Sequence, residues 1–227
     1  MWKALRRRAR VSVAGCSNPM PHQPAQLEDG EKAGSLTSMT TPSSPAHPRR
    51  WVYLRPVRLC MTAALAAALR TRATIAPKAR EMLVKGGTIL TSNHVSLLDG
   101  VLLALLSPAP LAVGVDSDWS VKSPWAARGM ATLCWLGYGW VVPLDSGTPQ
   151  GLRKLARHLR EGRSVLLFPE GQISPNGRPQ AERPGVSWLA ERTGAKVVRA
   201  SIDGAERSLI FAKAGDHLWP RIAITVS

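Results

Sequence analysis

Residues 86–106 carry a buried strand, a polar corner and an apolar helix in direct succession. Their sequence, GGTILTSNHVSLLDGVLLALL, predicts a strand over Thr88–Thr91 and a helix from about Ser96, with the corner between them. The corner places His94 five residues before Asp99, where a catalytic base and the carboxylate that orients it would stand. The same pair also arises by chance, so on its own it is as compatible with ordinary packing as with catalysis.

Apolar strands alternate with helices along the rest of the chain. Beyond the first strand and helix, the predicted strands are Leu111–Val115, Gly139–Pro143, Ser164–Phe168, Lys196–Ile202 and Arg221–Val226. The predicted helices between them are Ser123–Leu136, Pro149–Glu161 and Glu182–Arg192. This order predicts an α/β domain over residues 72–227, with a mostly parallel sheet flanked by helices. The chain stops at the last strand, which leaves a C-terminal truncation of the domain open.

A basic arm is predicted to precede this domain. Residues 1–80 hold 14 Lys and Arg against 3 Asp and Glu, which is +11 of the total +15. Residues 1–50 contain several prolines, many polar residues and little apolar periodicity, so we expect them to be disordered. Such an arm suits an anionic membrane surface, nucleic acid or no partner at all. Nucleic acid is not expected, because the domain lacks a basic, aromatic-studded pattern.

Residues 51–71 are predicted to form an amphipathic helix that begins near Pro56. Its apolar run, Leu59–Leu69, is about half of the ~20 residues that cross a bilayer, so no transmembrane helix is predicted. Trp51, Tyr53 and the flanking arginines are typical of a helix at a membrane interface. A helix packed on the domain fits the pattern equally well. The three cysteines have no metal-ligand spacing and cannot all pair, which favours a reduced, cytoplasm-facing protein without a metal.

A second polar group follows the apolar strand that is predicted to end at Phe168. Pro169 cannot continue the strand, so Glu170 and Gly171 come at the carboxyl edge of the sheet. Ligands bind at this edge in open α/β sheets. His94 also follows the end of its strand, and in a parallel sheet the two groups are expected to meet. Their convergence favours a functional site over two unrelated polar residues.

The two motifs resemble those of the glycerolipid acyltransferases, the family of PlsC-like 1-acylglycerol-phosphate acyltransferases. Asn93-His94-Val95-Ser96-Leu97-Leu98-Asp99 matches the family signature H-x4-D, and Phe168-Pro169-Glu170-Gly171 matches F-P-E-G. The sequence is more similar still to the acyltransferase part of bacterial 2-acylglycerophosphoethanolamine acyltransferase/acyl-ACP synthetase. That likeness covers Asn93–Gly100, Val142–Asp145, Gly162–Gly171 and Ile202–Glu206. The resemblance spans about residues 72–227 and implies a glycerol-3-phosphate acyltransferase-like fold.

The resemblance implies transfer of a fatty acyl group from acyl-ACP or acyl-CoA to a lysophospholipid, with no further cofactor. His94 would be the general base that takes the proton of the acceptor hydroxyl, and Asp99 would hold its ring in the correct tautomer. Ser96, or backbone N–H groups at the helix start, would polarise the thioester carbonyl. The other expected substrate-binding residues are Asn93, Asp145, Phe168, Pro169, Glu170 and Gly171, of which Glu170 and Gly171 would shape the glycerophosphate site.

The chain departs from the family pattern where many members bind phosphate. Asp145 stands in place of the arginine of an F-I-x-R block, and Gln172-Ile173-Ser174 replaces the usual T-R-S after F-P-E-G. An aspartate repels a phosphate monoester and attracts an ammonium group, so lysophosphatidylethanolamine is expected as the acceptor. Two alternatives stay open: a 1-acylglycerol-3-phosphate acyltransferase that makes phosphatidic acid, and a non-catalytic lipid-binding relative.

Location and partners follow from the same resemblance. We expect an enzyme on the cytoplasmic face of the inner membrane, in contact with membrane phospholipids and served by a fused or separately encoded acyl-ACP synthetase. Neither a G-x-S-x-G elbow nor a Walker A loop occurs in the sequence, which argues against a serine hydrolase and a P-loop nucleotidase.

Overall fold

The computed structural model describes residues 55–116, 124–144 and 148–227. Its strands are β1 (Thr71–Ile75), β2 (Thr88–Ser92), β3 (Leu111–Asp116), β4 (Gly139–Leu144), β5 (Ser164–Leu167), β6 (Lys196–Asp203) and β7 (Ile222–Val226). Within the described residues these strands form one sheet in the order β1-β7-β6-β2-β5-β3-β4. All neighbours are parallel except β6 and β7, which are antiparallel. The expected α/β fold with a mostly parallel sheet is confirmed.

Helices cover both faces of this sheet. They are α1 (Arg55–Ala68), α2 (Pro77–Lys85), α3 (Asp99–Leu106), α4 (Pro124–Trp135), α5 (Gln150–Arg160) and α6 (Gly185–Thr193), with a short 3-10 helix at Ala205–Arg207. Leu90 of β2 packs with residues of α2 and α3 in one apolar core, whereas its neighbour Ile89 packs with residues of α5 and α6 in a second core. Successive strand residues point to opposite faces, so β2 is covered on both sides.

The two strands that lead to the predicted site are neighbours at the centre of the sheet. All residues of β2 and of β5 are buried. Ile89 pairs with Val165 and Thr91 with Leu167 in parallel register. The carboxyl ends of the two strands therefore lie side by side, as expected from the sequence.

Two elements, β1 and α2, are missing from the sequence-based prediction. The three central residues of β1 are exposed, so its sequence, TRATI, lacks the apolar run of a buried strand. The helix α2 begins at Pro77, which suits the first turn of a helix, but its buried residues are only Ala79 and Leu83. A stripe this thin gives little periodicity to detect.

Two helices begin about three residues later than predicted. The helix α3 begins at Asp99 rather than near Ser96, because the Asp99 carboxylate binds the backbone N–H groups of Val95 and Ser96 and holds them in a turn. The helix α6 begins at Gly185 rather than Glu182, because a proline, here Pro184, disfavours the helical conformation in the residue before it. The predicted strand bounds agree with the structure within one residue at each end.

The helix α1 is anchored to the domain by apolar and polar contacts. Met61 and Leu65 pack against a small buried cluster that includes Tyr138. The Tyr138 hydroxyl donates to the Arg58 carbonyl at 2.7 Å and lies 3.0 Å from Thr62 Oγ1. These contacts fit the packed-helix alternative.

Of the two boundaries predicted near the N-terminus, only the one at residue 71 lies within the described residues. The helix α1 ends at Ala68 and β1 begins at Thr71, so the helix boundary predicted at residue 71 is too late. Placement of residues 51–71 at a membrane interface stays a prediction, and the basic arm over 1–50 lies outside the described residues. In the described part of the chain, every helix is too short or too polar to cross a bilayer.

Candidate active site

The corner after β2 is clamped on both sides of His94. The Asn93 side chain donates to the Ile202 carbonyl and accepts from the Ile202 N–H, both at 2.8 Å, and so ties the corner to β6. On the other side, the His94 carbonyl accepts the Ser174 N–H at 2.8 Å. Ser174 belongs to the loop that follows Glu170. The backbone of His94 is therefore fixed by two segments distant in sequence.

The Asp99 carboxylate is fully buried and has four hydrogen-bond partners. Oδ2 accepts the Val95 N–H at 2.7 Å and the Ser96 N–H at 2.8 Å, and it lies 3.0 Å from His94 Nδ1. Oδ1 accepts the Ser96 hydroxyl at 2.6 Å. All four partners are able to donate, which is what an ionised carboxylate requires. The turn at Val95 and Ser96 is therefore built around this side chain.

The His94 imidazole is held in one orientation. Because a carboxylate only accepts, the Nδ1 contact with Asp99 assigns the proton to Nδ1 and leaves the lone pair on Nε2. The ring also stacks on Phe168, with centroids 4.1 Å apart and an angle of 17° between planes. The His94 side chain is 19% exposed while that of Asp99 is 0% exposed, so solvent reaches only the histidine of the pair. This arrangement suits a general base.

Glu170 is a buried carboxyl close to His94. The residue is 6% exposed, and its Oε2 has no hydrogen-bond partner. Burial raises the pKa of Glu170 above its usual value, whereas the backbone N–H groups of His94 and Gln180 act in the opposite direction. Glu170 therefore lies against the backbone of the His94 corner.

Gly171 permits a close approach by Arg183. Its φ is 73°, in the left-handed region, and a Cβ at this position would lie 2.8 Å from Arg183 Nε. The Arg183 N–H also donates to the Pro169 carbonyl at 2.8 Å. The exposed guanidinium of Arg183 thus lies against Gly171, the last residue of the second motif. A cation at this position suits the binding of a phosphate group.

A family model described as Acyltransferase matches residues 70–203 of this chain. The chain belongs to the acyltransferase family. Both motifs, with His94, Asp99 and Glu170, lie inside the matched range. The likeness to 2-acylglycerophosphoethanolamine acyltransferase stays a prediction.

A solved acyltransferase shares the fold. The chain is similar to the 1-acyl-sn-glycerophosphate (LPA) acyltransferase PlsC from Thermotoga maritima, with a TM-score of 0.53 and 19% identity. The match covers 77% of this chain and 67% of that one. At this level of identity, the likeness shows the architecture.

Ser96 and the N–H groups near the helix start were expected to polarise the thioester carbonyl, but in the structure they bind other groups. Ser96 is 1% exposed, and its hydroxyl proton goes to Asp99. The Val95 and Ser96 N–H groups also bind Asp99. The Leu97 N–H binds the Phe211 carbonyl at 2.9 Å, and that of Leu98 lies 3.2 Å from Ser96 Oγ. These donors are occupied, so they do not face a thioester carbonyl.

The other predicted site residues fall into three groups. Asn93 and Glu170 lie in the site but bind backbone, so the structure shows positioning contacts for them. Phe168 and Pro169 are both buried. The imidazole of His94 stacks on Phe168, and Pro169 begins the loop that follows. Asp145 lies outside the described residues.

Sequence reasoning missed several residues that support the corner. Ser174 and Gln180 contribute backbone N–H groups, which any residue type can supply. Ile202 is an apolar strand residue whose backbone pairs with a side chain 109 positions earlier. Its place next to a polar segment gives no hint of that pairing.

A charged cavity in the described part of the chain lies away from His94. It measures about 530 Å³ between β4 and α5, and its charged lining includes Lys154, Arg157 and Arg163. A second, apolar cavity of about 20 Å³, with Gly100 among its lining residues, is too small for an acyl chain. We place the site at His94 because the ordered base lies there. Within the described residues, no three His, Cys, Asp or Glu side chains converge as metal ligands would.

Proposed function

We propose that this protein transfers a fatty acyl group from a thioester carrier, acyl-ACP or acyl-CoA, to the hydroxyl of a lysophospholipid. The observation that carries this proposal is the His94 ring, whose Nδ1 is fixed on Asp99 and whose Nε2 is left to accept a proton. Membership of the acyltransferase family supports the reaction type.

The proposed reaction needs no covalent enzyme intermediate. Nε2 of His94 takes the proton of the acceptor hydroxyl while the oxygen attacks the thioester carbonyl and forms the new C–O bond. The C–S bond then breaks, and the leaving thiolate takes the proton from the imidazolium. The ester and a free thiol leave, and neutral His94 is restored. Asp99 stabilises the imidazolium between the two steps.

We further propose lysophosphatidylethanolamine as the acceptor. The support is chemical: the sequence carries Asp145 where an arginine would favour a phosphate monoester, and its charge suits an ammonium headgroup. Arg183, next to Gly171, is the candidate contact for the phosphate that every lysophospholipid carries. The similar PlsC structure, which is that of an LPA acyltransferase, instead favours lysophosphatidic acid as acceptor and phosphatidic acid as product. A non-catalytic lipid-binding relative is disfavoured, since binding alone needs no ordered base.

The cytoplasmic face of the inner membrane is the proposed location, because acyl thioesters and the lipid acceptor meet there. An acyl-ACP synthetase, fused or separate, would supply the donor. The excess of basic residues in the chain suits an anionic leaflet.

Acyl transfer in detergent micelles tests the reaction. The full chain is incubated with labelled acyl-ACP or acyl-CoA and a panel of lysophospholipids, beside His94→Gln and the matched control His158→Gln on α5. We expect transfer that falls by roughly 10²–10⁴-fold in the first variant and is kept in the control. No transfer by the wild type with any donor and acceptor would refute the proposal.

The headgroup is tested by three further variants. Asp145→Asn should narrow the preference for lysophosphatidylethanolamine over lysophosphatidic acid. Arg183→Gln should raise the acceptor KM about tenfold with little change in kcat, whereas Arg178→Gln, an exposed arginine in the same loop, should not. A wild type that prefers lysophosphatidic acid would overturn the ethanolamine assignment and leave the reaction intact.

A further inference from the structure

Exposed apolar side chains are concentrated beside the site. Leu209, Ile210, Leu218 and Trp219 are 59%, 50%, 64% and 48% exposed, and they lie in one loop, residues 208–220, together with polar residues. Leu97, 38% exposed, follows the His94 corner. We refer to these five side chains as the apolar rim.

The loop that carries the rim has a defined backbone. The Leu209 N–H donates to the His217 carbonyl at 2.9 Å, and the His217 N–H donates to the Arg207 carbonyl at 2.8 Å. A Cβ at Gly215 would lie 2.0 Å from the Ser208 carbonyl oxygen, so the two legs of the loop touch. The apolar side chains are therefore presented to solvent by a paired segment.

The loop is attached directly to both halves of the site. The Leu97 N–H donates to the Phe211 carbonyl at 2.9 Å, three residues after His94. Lys213 Nζ donates to the Ile173 carbonyl at 3.3 Å, three residues after Glu170. The indole N–H of Trp219 donates to the Ala68 carbonyl at the end of α1. The rim thus continues from the site toward the N-terminal helix.

We propose that the apolar rim docks the protein on a lipid bilayer surface so that His94 faces the headgroup region. Exposed leucines with a tryptophan whose N–H is satisfied are typical of membrane-interface contacts. Lys213 and Arg221 outweigh the exposed carboxylate of Asp216, so residues 208–221 carry a net positive charge that suits anionic lipid phosphates. This inference rests on the proposed function, because a lysophospholipid acceptor resides in such a surface.

Vesicle sedimentation of the full chain tests the docking. Vesicles of neutral phosphatidylcholine are used in about 0.5 M NaCl, where attraction of the basic residues to lipid is screened. The test variant is Leu209→Ser with Leu218→Ser. The matched control is Val84→Ser with Val197→Ser, which removes two exposed valines, 61% and 39% exposed, elsewhere on the domain.

We expect the rim variant to lose about tenfold in vesicle partition and the control to stay within about twofold of the wild type. Equal partition of the rim variant and the wild type would overturn the proposal, as would a wild type that does not sediment with vesicles. Light scattering that shows a dimer broken by the rim variant, with vesicle binding unchanged, would assign the rim to a second copy instead.

A soluble acceptor separates this inference from the proposed function. With a short-chain lysophospholipid below its micelle concentration, the rim variant should keep the wild-type rate, since docking is then not needed. With the acceptor in vesicles its rate should fall in step with partition. A wild type inactive toward both forms would refute the proposed reaction, while the sedimentation result would still decide the docking.

Discussion

Replacing Ser96 with alanine tests whether this serine positions Asp99 or acts on the substrate. The hydroxyl donates to a fully buried carboxylate at 2.6 Å, and such a bond to a charged group contributes roughly 1.5–3 kcal/mol. The Leu98 N–H also loses its 3.2 Å acceptor, which adds about 0.5–1.5 kcal/mol. We therefore expect the free energy of unfolding to fall by roughly 2–4 kcal/mol and Tm by about 5–15 °C.

The activity of this variant should fall by about tenfold or less, because Asp99 Oδ2 keeps its contacts with His94 and two backbone N–H groups. Removal of an oxyanion donor would instead cost about 10²–10³-fold in kcat. Thermal unfolding and initial rates are measured side by side. Ser164→Ala is the control. Ser164 is also buried, but its hydroxyl oxygen accepts only a weak hydrogen bond, from the Thr88 N–H at 3.4 Å.

A Ser96→Ala variant with an unchanged Tm and a kcat reduced by more than about 10²-fold would refute this reasoning. That outcome would place the hydroxyl on the substrate carbonyl, as the sequence had led us to expect. A Tm loss no larger than that of Ser164→Ala would equally contradict the calculation from the Asp99 network.

Three further predictions concern Glu170, His158 and Asn93. The pKa of Glu170 is raised above 4.5, so the folded state holds this proton more tightly than the unfolded chain. The wild type should therefore lose stability relative to Glu170→Gln as pH rises above about 4.5, which urea titrations at several pH values measure. Burial and neighbouring arginines lower the pKa of His158 below 6.5, so the wild type should lose stability relative to His158→Gln as pH falls through about 6.5. Asn93→Ala removes two 2.8 Å bonds to β6 and should cost roughly 2–3 kcal/mol and slow acyl transfer. Asn176→Ala removes two 3.1 Å bonds within an exposed loop, so it should cost less and leave the rate of transfer near that of the wild type.

The elements around the site were predictable because their signals are local. A run of apolar residues that ends at a polar corner marked β2, and the same pattern with Pro169 marked β5. Parallel pairing of these two strands then brings His94 near Glu170 without any further assumption. The edge strand β1 was not predictable, since its exposed central residues leave no apolar pattern.

The roles of individual side chains were harder to predict, because a role depends on which partner the fold supplies. The Ser96 hydroxyl has the chemistry of an oxyanion donor, but the turn aims it at a carboxylate three residues ahead. The Asn93 amide has the chemistry to bind a substrate, but in the fold it binds the backbone N–H and carbonyl of Ile202 in β6. Spacing in the sequence reveals neither partner.

The structure therefore separates the groups that orient the base from those that meet the substrate. The polar atoms of Asn93, Ser96 and Asp99 bind one another, the backbone and His94 Nδ1. The imidazole is therefore fixed before any substrate binds. Preorganisation of this kind lowers the barrier because no reorganisation is needed as the proton moves. It also means that residues 95–98, which precede α3, have no spare donor for a developing oxyanion, so any such donor must come from elsewhere. In the proposed reaction the thiolate is a good leaving group and His94 is the residue that would remove the acceptor proton, so we expect only a modest demand for an oxyanion donor.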